Sequence, residues 1–325
     1  MNRRTVMTLA AGLLPQAALL RRAEAADPWP SRPIRMVLPF APGTGVDAVA
    51  RSMAQEAAAR LGQPVVADNR AGAGTTIGNE LVARAAPDGH TFLFASFAFI
   101  SNQALRQDQR YDILTDFEPV SLLFGAPPLL VAHPSLPATN LAELIAYTRA
   151  QREPVHYTSS GIGSAPHLFG ELLKVQAGAN LEHVSFNGVS SALQATLRGD
   201  VKIFIDAILP TGAQVRDGSL RGIVLADHAR SLLLPSVPSL DDSGHGELAM
   251  ASRLGILLPA RTPRPIVERL NDVFVGVARQ PAFTERLESL GLTVFASSPE
   301  EYGEVIRGEL ARWTEIVRRA AVRLD

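Results

Sequence analysis

The chain has 325 residues, enough for about two domains, and its 31 basic and 32 acidic side chains nearly cancel. This balance, without long runs of one sign, argues against a nucleic-acid partner. The absence of cysteine excludes disulfides, thiol catalysis and thiolate metal sites.

The N-terminus has the three parts of a secretory signal peptide. Arg3 and Arg4 precede a short apolar stretch that ends at Leu20, and small residues surround Ala25. We therefore expect residues 1–26 to be a signal peptide that directs the protein to the periplasm, by the general or the twin-arginine route. The apolar stretch is too short for a comfortable membrane span.

Strands and helices alternate along the rest of the chain. Short apolar runs predict strands at 34–40, 64–68, 91–96, 155–159, 183–186 and 201–205, and helical patterns occur at 47–61, 78–86, 141–150, 166–177, 190–198, 266–278, 282–290 and 299–321. This alternation predicts an α/β protein with parallel, doubly wound sheets. Because the series occurs twice, we expect two α/β lobes.

Two apolar stretches rich in proline flank the second series. They read LLFGAPPLLVAHPSLP and MASRLGILLPARTP, and we expect them to form two strands that cross between the lobes. Lobe 1 would then comprise residues 27–130 and 251–325, and lobe 2 residues 131–250. The last helices would pack on lobe 1.

Four turns with small or hydroxyl residues follow predicted strands: APGTGVD (41–47), SFAFIS (96–101), SSGIGSAPH (159–167) and IDAI (205–208). Ligands of open α/β sheets bind at the carboxyl ends of strands, and helix N-termini favour anions there. The turns therefore predict a polar, neutral pocket of hydroxyls and amides that suits a small carboxylate. Asp47 and Ser164 are also explained as helix caps.

Other chemistries lack their motifs. No lysine follows Gly43 or Gly45 as a phosphate loop requires, and no serine lies in G-x-S-x-G. The histidines show no metal-ligand spacing. His167, one helical turn after Ser164, fits support of a loop better than a general base. We expect no cofactor and no metal.

Four motifs occur in order: PF-x-PG at 39–43, DNRAGAGT at 68–75, APDG-x-T at 86–91 and GS-x-x-H at 163–167. With them, nearly all of the mature chain closely resembles the periplasmic receptors of tripartite tricarboxylate transporters, also called Bug receptors. The resemblance implies a two-lobed clamshell of the type II periplasmic-binding-protein class, without enzymatic activity. It also implies a small organic carboxylate in the cleft and delivery to an integral-membrane carrier. We expect a monomer.

The turns and the resemblance together define twelve candidate ligand-binding residues: Ala41, Gly43, Thr44, Gly45, Asp47, Ser96, Ser160, Gly163, Ser164, His167, Asp206 and Arg253. Three positions depart from the family pattern. Thr44 replaces a common glycine, Ala207 replaces the asparagine that usually follows Asp206, and Arg253 replaces an aromatic residue. Arg253 either pairs with a second ligand carboxylate or is a surface charge.

Alternative functions use the same scaffold. An enzyme acting on a small acid would use Asp47, His167 or Asp206 as acid or base and would need a strongly shifted pKa in the cleft. A ligand sensor would dock on a signalling partner instead of a carrier. The export signal argues against a transcription regulator. The identity of the ligand stays open.

Overall fold

The computed structural model describes residues 29–106, 108–186, 188–250 and 252–320. The predicted signal peptide, residues 1–26, lies outside the described residues. None of the helices in the described ranges has both the length and the apolar character needed to cross a membrane.

The first lobe opens with alternating strands and helices. Its elements up to the first crossing are Ile34–Leu38 (β1), Gly45–Leu61 (α1), Val65–Asn69 (β2), Thr76–Ala83 (α2), Thr91–Ala95 (β3), Ala98–Leu105 (α3) and Phe117–Ala126 (β4). β1 lies between β2 and β3 and pairs with both in parallel. A 3-10 turn at Ala73–Thr75 precedes α2.

The second lobe has its own five-stranded sheet, in the order β7-β6-β8-β5-β9. Its elements are Leu129–Ala132 (β5), Leu141–Ala150 (α4), Val155–Ser159 (β6), Ala165–Ala177 (α5), Leu181–His183 (β7), Val189–Leu197 (α6), Ile203–Asp206 (β8), Ile208–Arg216 (α7) and Arg221–Leu225 (β9). β6 pairs in parallel with β7 and β8.

The chain then returns to the first lobe. The returning elements are Ser252–Pro259 (β10), Arg264–Ala278 (α8), Pro281–Ser289 (α9), Thr293–Val294 (β11) and Pro299–Ala320 (α10). They complete a six-stranded sheet in the order β11-β4-β10-β3-β1-β2. The strands thus change sheet between Ala126 and Leu129, and again between Leu225 and Ser252.

Both sheets are mixed, whereas the alternation of elements predicts parallel sheets. β10 runs antiparallel to β3 and β4, and β5 runs antiparallel to β8 and β9. β5 and β10 are the first strands after each change of lobe, so they enter their sheets from the opposite side. β5 and β10 lie in the two proline-rich stretches, outside the repeated strand–helix units. The repeat alone therefore does not predict the direction of these two strands.

Local signals fix several element ends. The Asn140 side chain accepts the Glu143 N–H at 2.9 Å, so α4 begins at Leu141 as predicted. Gly62 caps the end of α1, and its φ of 70° allows its N–H to reach the Ala58 carbonyl. Strand β8 is buried along its whole length, which explains the apolar run that precedes its last residue, Asp206.

Helix α10 packs against both lobes. It contacts α3 and β4 in the first lobe and α5 in the second. Trp313 of this helix is fully buried, and its ring meets Phe97 edge-on at a centroid distance of 5.4 Å. Its indole N–H donates to Glu309 at 2.7 Å. The C-terminal helix therefore packs across the junction of the two lobes and not on lobe 1 alone.

Candidate ligand-binding site

A cavity of about 440 Å³ lies between the two lobes, where the carboxyl ends of β1, β3, β6 and β8 meet. Its polar side chains are those of Thr44, Ser96, Ser160, Ser164 and Asp206. The rest of the lining is apolar or glycine: Gly45, Val46, Val49, Phe97, Ala98, Ala126, Pro128, Ala165, Pro166, Val189, Ala207, Leu209, Pro210, Leu254, Leu290 and Leu292. This volume suits a small organic molecule.

Five helices begin at the wall of this cavity. α1, α3, α5, α6 and α7 each contribute first-turn residues to the lining. First-turn N–H groups have no partner within their own helix, and the helix dipole makes this end positive. No lysine or arginine is among the described lining residues. An anion in the cavity would therefore be held by backbone N–H groups and hydroxyls.

The loop before α1 is organised by a reciprocal pair of hydrogen bonds. Thr44 Oγ1 accepts the Asp47 N–H at 3.2 Å, and Asp47 Oδ2 accepts the Gly43 N–H at 3.0 Å. Asn69 and Arg51 also donate to the Asp47 carboxylate, at 2.9 and 3.0 Å. This arrangement resembles a capping box and fixes Thr44 at the cavity wall.

Asp47 stays ionised. Burial raises the pKa of this carboxyl, but the hydrogen bonds from Arg51, Asn69 and Gly43 outweigh burial and hold the pKa at about 2. Its negative charge is paired with Arg51 and lies behind the loop. Asp47 is thus suited to organise the loop and not to exchange protons with a ligand.

The loop before α5 repeats this construction in the second lobe. Ser164 Oγ accepts the His167 N–H at 3.2 Å, and His167 Nδ1 accepts the Gly163 N–H at 3.2 Å. Gly43 and Gly163 have φ values of 83° and 79°, a left-handed conformation that favours glycine. In both loops, a glycine is followed by a hydroxyl residue, then by two further residues, and then by the side chain that accepts the glycine N–H.

His167 is neutral in this setting. Burial, and then the nearby positive charge of Lys174, lower the pKa of His167 to about 4. The His183 ring lies 4.5 Å away, and its Nε2 is 2.8 Å from Ser159 Oγ. A neutral imidazole with the proton on Nε2 accepts a hydrogen bond through Nδ1, as the Gly163 contact requires.

Asp206 is the one ionisable residue among the described lining residues, and it lies at the end of β8. It is 6% exposed, and its Oδ1 accepts the Ala207 N–H at 2.7 Å. Its Oδ2 has no hydrogen-bond partner in the described part of the chain. Burial raises the pKa of this carboxyl to about 6, because it outweighs the lowering effect of the Ala207 N–H and the nearby Ser160 hydroxyl.

The structure brings half of the predicted site residues to the cavity wall. These are Thr44, Gly45, Ser96, Ser160, Ser164 and Asp206. The other six do not line it: Ala41, Gly43, Asp47, Gly163, His167 and Arg253. Four of the second set, at positions 43, 47, 163 and 167, instead hold the two loops in place.

Arg253 points away from the cavity. Its guanidinium lies 3.3 Å from Glu309 and stacks over the Phe295 ring at 5.6 Å. Successive side chains of a strand point to opposite faces, and its neighbour Leu254 is the one that lines the cavity. Of the two predicted positions for Arg253, the structure shows the one outside the cleft.

The cavity is more apolar than the predicted pocket of hydroxyls and amides. Leu209, Leu254, Leu290 and Leu292 contribute much of the difference. Leu209 follows the predicted turn at 205–208 directly, so the sequence placed it near the site. Leu290 and Leu292 reach the cavity from the turn between α9 and β11, for which the sequence carried no signal.

Two mixed α/β lobes around a cavity at several helix N-termini define a class of ligand-binding proteins with a clamshell form. No group of three His, Asp or Glu residues in the described ranges is arranged to hold a metal ion.

Comparisons with known proteins identify the family. The family model described as tripartite tricarboxylate transporter family receptor matches residues 49–322. Protein BugT of Bordetella pertussis (strain Tohama I) is 32% identical over 301 residues, which cover 92% of each chain. The chain therefore belongs to the tripartite tricarboxylate transporter receptor family.

Solved structures agree with this assignment. MatC from Rhodopseudomonas palustris, with bound malate, has a TM-score of 0.74 and 32% identity, covering 89% of this chain and 99% of that chain. An R. palustris protein with adipate has a TM-score of 0.78 and 29% identity, covering 91% and 99%. These comparisons confirm the predicted family and the two-lobed fold. They also confirm the prediction that the protein is a receptor and not an enzyme. Receptors of this family are periplasmic and serve transporters.

Proposed function

We propose that this receptor binds a small organic carboxylate in the interlobe cavity and delivers it to the membrane subunits of a tripartite tricarboxylate transporter. The observation that carries the proposal is the convergence of five helix N-termini on one cavity whose described lining has no basic side chain. The malate and adipate bound by the two similar structures support the same chemistry.

Both lobes offer donors to the carboxylate. The N–H groups of Gly45 and Val46 on α1, and of Ala165 on α5, have no acceptor among the described residues. The Thr44 hydroxyl accepts the Asp47 N–H, which leaves its own proton for the ligand. Ser164 differs, because its hydroxyl donates to the Gly161 carbonyl at 2.6 Å. We therefore rank Thr44 above Ser164 as a ligand donor.

Binding would favour the closed form. A ligand that contacts α1 and α5 together gains its full interaction only when the lobes are close, so it shifts the population by its differential affinity. The lobes already meet beside the cavity. Ser101 Oγ of α3 donates to the Gly163 carbonyl at 3.0 Å, and a methyl group added at Gly45 would lie 3.6 Å from Leu209 Cδ2.

The proposal includes the route to the periplasm and the partners. Residues 1–26 act as the export signal, and Arg3 with Arg4 permits twin-arginine export. The loaded monomer, with lobe 1 at 27–130 and 251–325 and lobe 2 at 131–250, docks on the carrier. Docking on a sensor protein would use the same closed form.

Thermal-shift measurements of the purified protein against a library of small acids test this function. We expect at least one carboxylate to raise the melting temperature saturably, and mass spectrometry to recover a carboxylate that co-purifies. The acid should be unchanged after long incubation. Stabilisation by neutral compounds alone, or conversion of the acid to a product, would contradict the proposal.

A further inference from the structure

The wall of the cavity favours an apolar ligand body. Leu209, Leu254, Leu290 and Leu292 line it together with Phe97, and no charged side chain other than Asp206 lies among the described lining residues. Apolar ligand surface removed from water against such a wall gains free energy in proportion to its area. A short ligand that is charged at both ends would forgo this gain.

Asp206 supplies a carboxylate at the same wall that its neighbours satisfy only in part. Its Oδ1 accepts the Ala207 N–H at 2.7 Å, while its buried Oδ2 accepts no hydrogen bond from the described residues, and the Ser160 hydroxyl is a nearby donor that lowers the pKa of the carboxyl. The neighbouring Ala207 has no side-chain donor to offer. A buried acceptor without a partner costs stability, and that cost is relieved when a ligand donates to it.

The sign of the Asp206 charge discriminates between ligand groups. With a pKa of about 6, raised by burial, Asp206 is mostly ionised at mildly alkaline pH. A second ligand carboxylate beside it would bring two negative charges together, without a lysine or arginine in the described lining to separate them. A hydroxyl or ammonium group would instead donate to it.

We propose that Asp206 accepts a hydrogen bond from the ligand, and that the preferred ligand is a monocarboxylate with an apolar body and a hydroxyl or amino substituent. This inference rests on the proposed function, because the ligand carboxylate is placed at the starts of α1 and α5. Because Asp206 belongs to the usual family pattern, the difference from receptors that hold malate or adipate lies in Ala207, which lacks the side-chain donor of the usual asparagine.

Two matched series of acids test the inference by calorimetric titration at one mildly alkaline pH. The first is hexanoate, α-hydroxyhexanoate, ω-hydroxyhexanoate and adipate, and the second is phenylpropionate, phenyllactate, phenylalanine and benzylsuccinate. In at least one series, we expect a donor-bearing acid to bind about tenfold tighter than its parent, the value of one hydrogen bond to a charged group. The dicarboxylate should bind no better than the parent.

Two variants assign the effect to Asp206. In Asp206→Ala, the advantage of the donor-bearing acid over its parent should disappear while the parent still binds. Asp206→Asn, which keeps the side-chain shape, should bind the dicarboxylates at least about tenfold better than the wild type, since it removes the charge and adds a donor. Circular dichroism checks the fold, and Asp206→Asn carries the test alone if the alanine variant does not fold.

Three results would overturn the inference and leave the proposed function standing: no donor-bearing acid binding the wild type better than its parent, dicarboxylates binding the wild type best, or an unchanged donor advantage in both variants. If no acid of either series, nor any acid of the wider library, bound to the wild type, the proposed function would fail and the inference with it.

Discussion

Thr44 carries two roles in one hydroxyl. It caps α1 by accepting the Asp47 N–H, and it lines the cavity in a position to donate to a ligand. Thr44→Val should lose both roles. We expect the free energy of binding to weaken by about 1 to 3 kcal/mol because a ligand oxygen loses its donor, and stability to fall by about 0.5 to 2 kcal/mol because the cap is lost.

The matched control is Thr44→Ser, which keeps the hydroxyl and should retain most of the affinity and stability. Titration calorimetry and chemical denaturation measure the two effects separately. If Thr44→Val lowered stability but left the affinity of the best acid unchanged, Thr44 would be a cap and not a ligand donor.

Asp206 makes a prediction for the empty protein. Its pKa rises from 3.8 in the unfolded chain to about 6 in the folded protein. The folded state therefore binds more protons than the unfolded chain between these pH values. Through Asp206, the free energy of unfolding falls as the pH rises from 3.8 through 6, and above this range the full cost of the buried charge is present. Asp206→Asn should stabilise the empty protein by about 1 to 3 kcal/mol at pH 8.

This gain should shrink as the pH falls from about 6 towards 3.8, where the wild-type carboxyl becomes protonated. Urea denaturation at a series of pH values measures it. If Asp206→Asn were less stable than the wild type at pH 8, the cost of burying the Asp206 charge would have to be offset by contacts beyond the Ala207 N–H, and the prediction would be wrong.

At the scale of the element, the start of α5 depends on a neutral histidine. His167 and the adjacent His183 both have a pKa lowered from 6.5 to about 4, mainly by burial. The unfolded chain therefore binds more protons between pH 6.5 and 4, so stability falls as the pH drops through this window. Asp206 acts in the opposite direction from pH 6 to 3.8, but one carboxyl opposes two imidazoles.

His167→Asn and His167→Leu separate charge from support. Asparagine keeps an acceptor for the Gly163 N–H, whereas leucine does not. Both should reduce the loss of stability between pH 6.5 and 4, but only His167→Leu should weaken binding of the best acid, because it releases the loop. If the two variants bound the best acid with equal affinity, the hydrogen bond from Gly163 to His167 would not be needed to hold the loop for binding.

The elements themselves were predictable where local chemistry decides them. α4 matches its predicted bounds because Asn140 caps it, and the capped α1 and α5 begin within two residues of theirs. The antiparallel entry of β5 and β10 was not predictable, since direction depends on which lobe the chain has just left. α7 was missed because it is short and contains Pro210.

At the scale of the whole molecule, the sequence predicted the cavity edge but not all of its walls. The turns after β1, β3, β6 and β8 converge as the rule for open α/β sheets requires. The apolar wall from Leu290 and Leu292 depends on how α9 and β11 fold back from a distant part of the chain. Such long-range packing leaves no local pattern.

Closure of the lobes makes a prediction about Leu209. This side chain is 57% exposed, lines the cavity from the second lobe and approaches Gly45 of the first. Leu209→Ala should weaken ligand binding by about 1 to 2 kcal/mol, since less apolar surface is buried when the lobes close. Small-angle scattering should show a smaller ligand-dependent compaction than in the wild type.

Leu232→Ala is the matched control, because Leu232 is 84% exposed and does not line the cavity. It should leave affinity and compaction unchanged. Equal effects of the two substitutions would show that Leu209 contributes no more than surface hydrophobicity.

Comparison of one acid with its uncharged isostere tests the carboxylate site directly. The best acid from the screen and its primary carboxamide are titrated into the wild-type protein and into Thr44→Val. Because helix N-termini and neutral donors are proposed to hold a negative charge, the acid should bind at one site and at least about tenfold more tightly than the amide. This preference should decrease in Thr44→Val. Equal affinities for the acid and the amide would contradict a carboxylate site in this cavity.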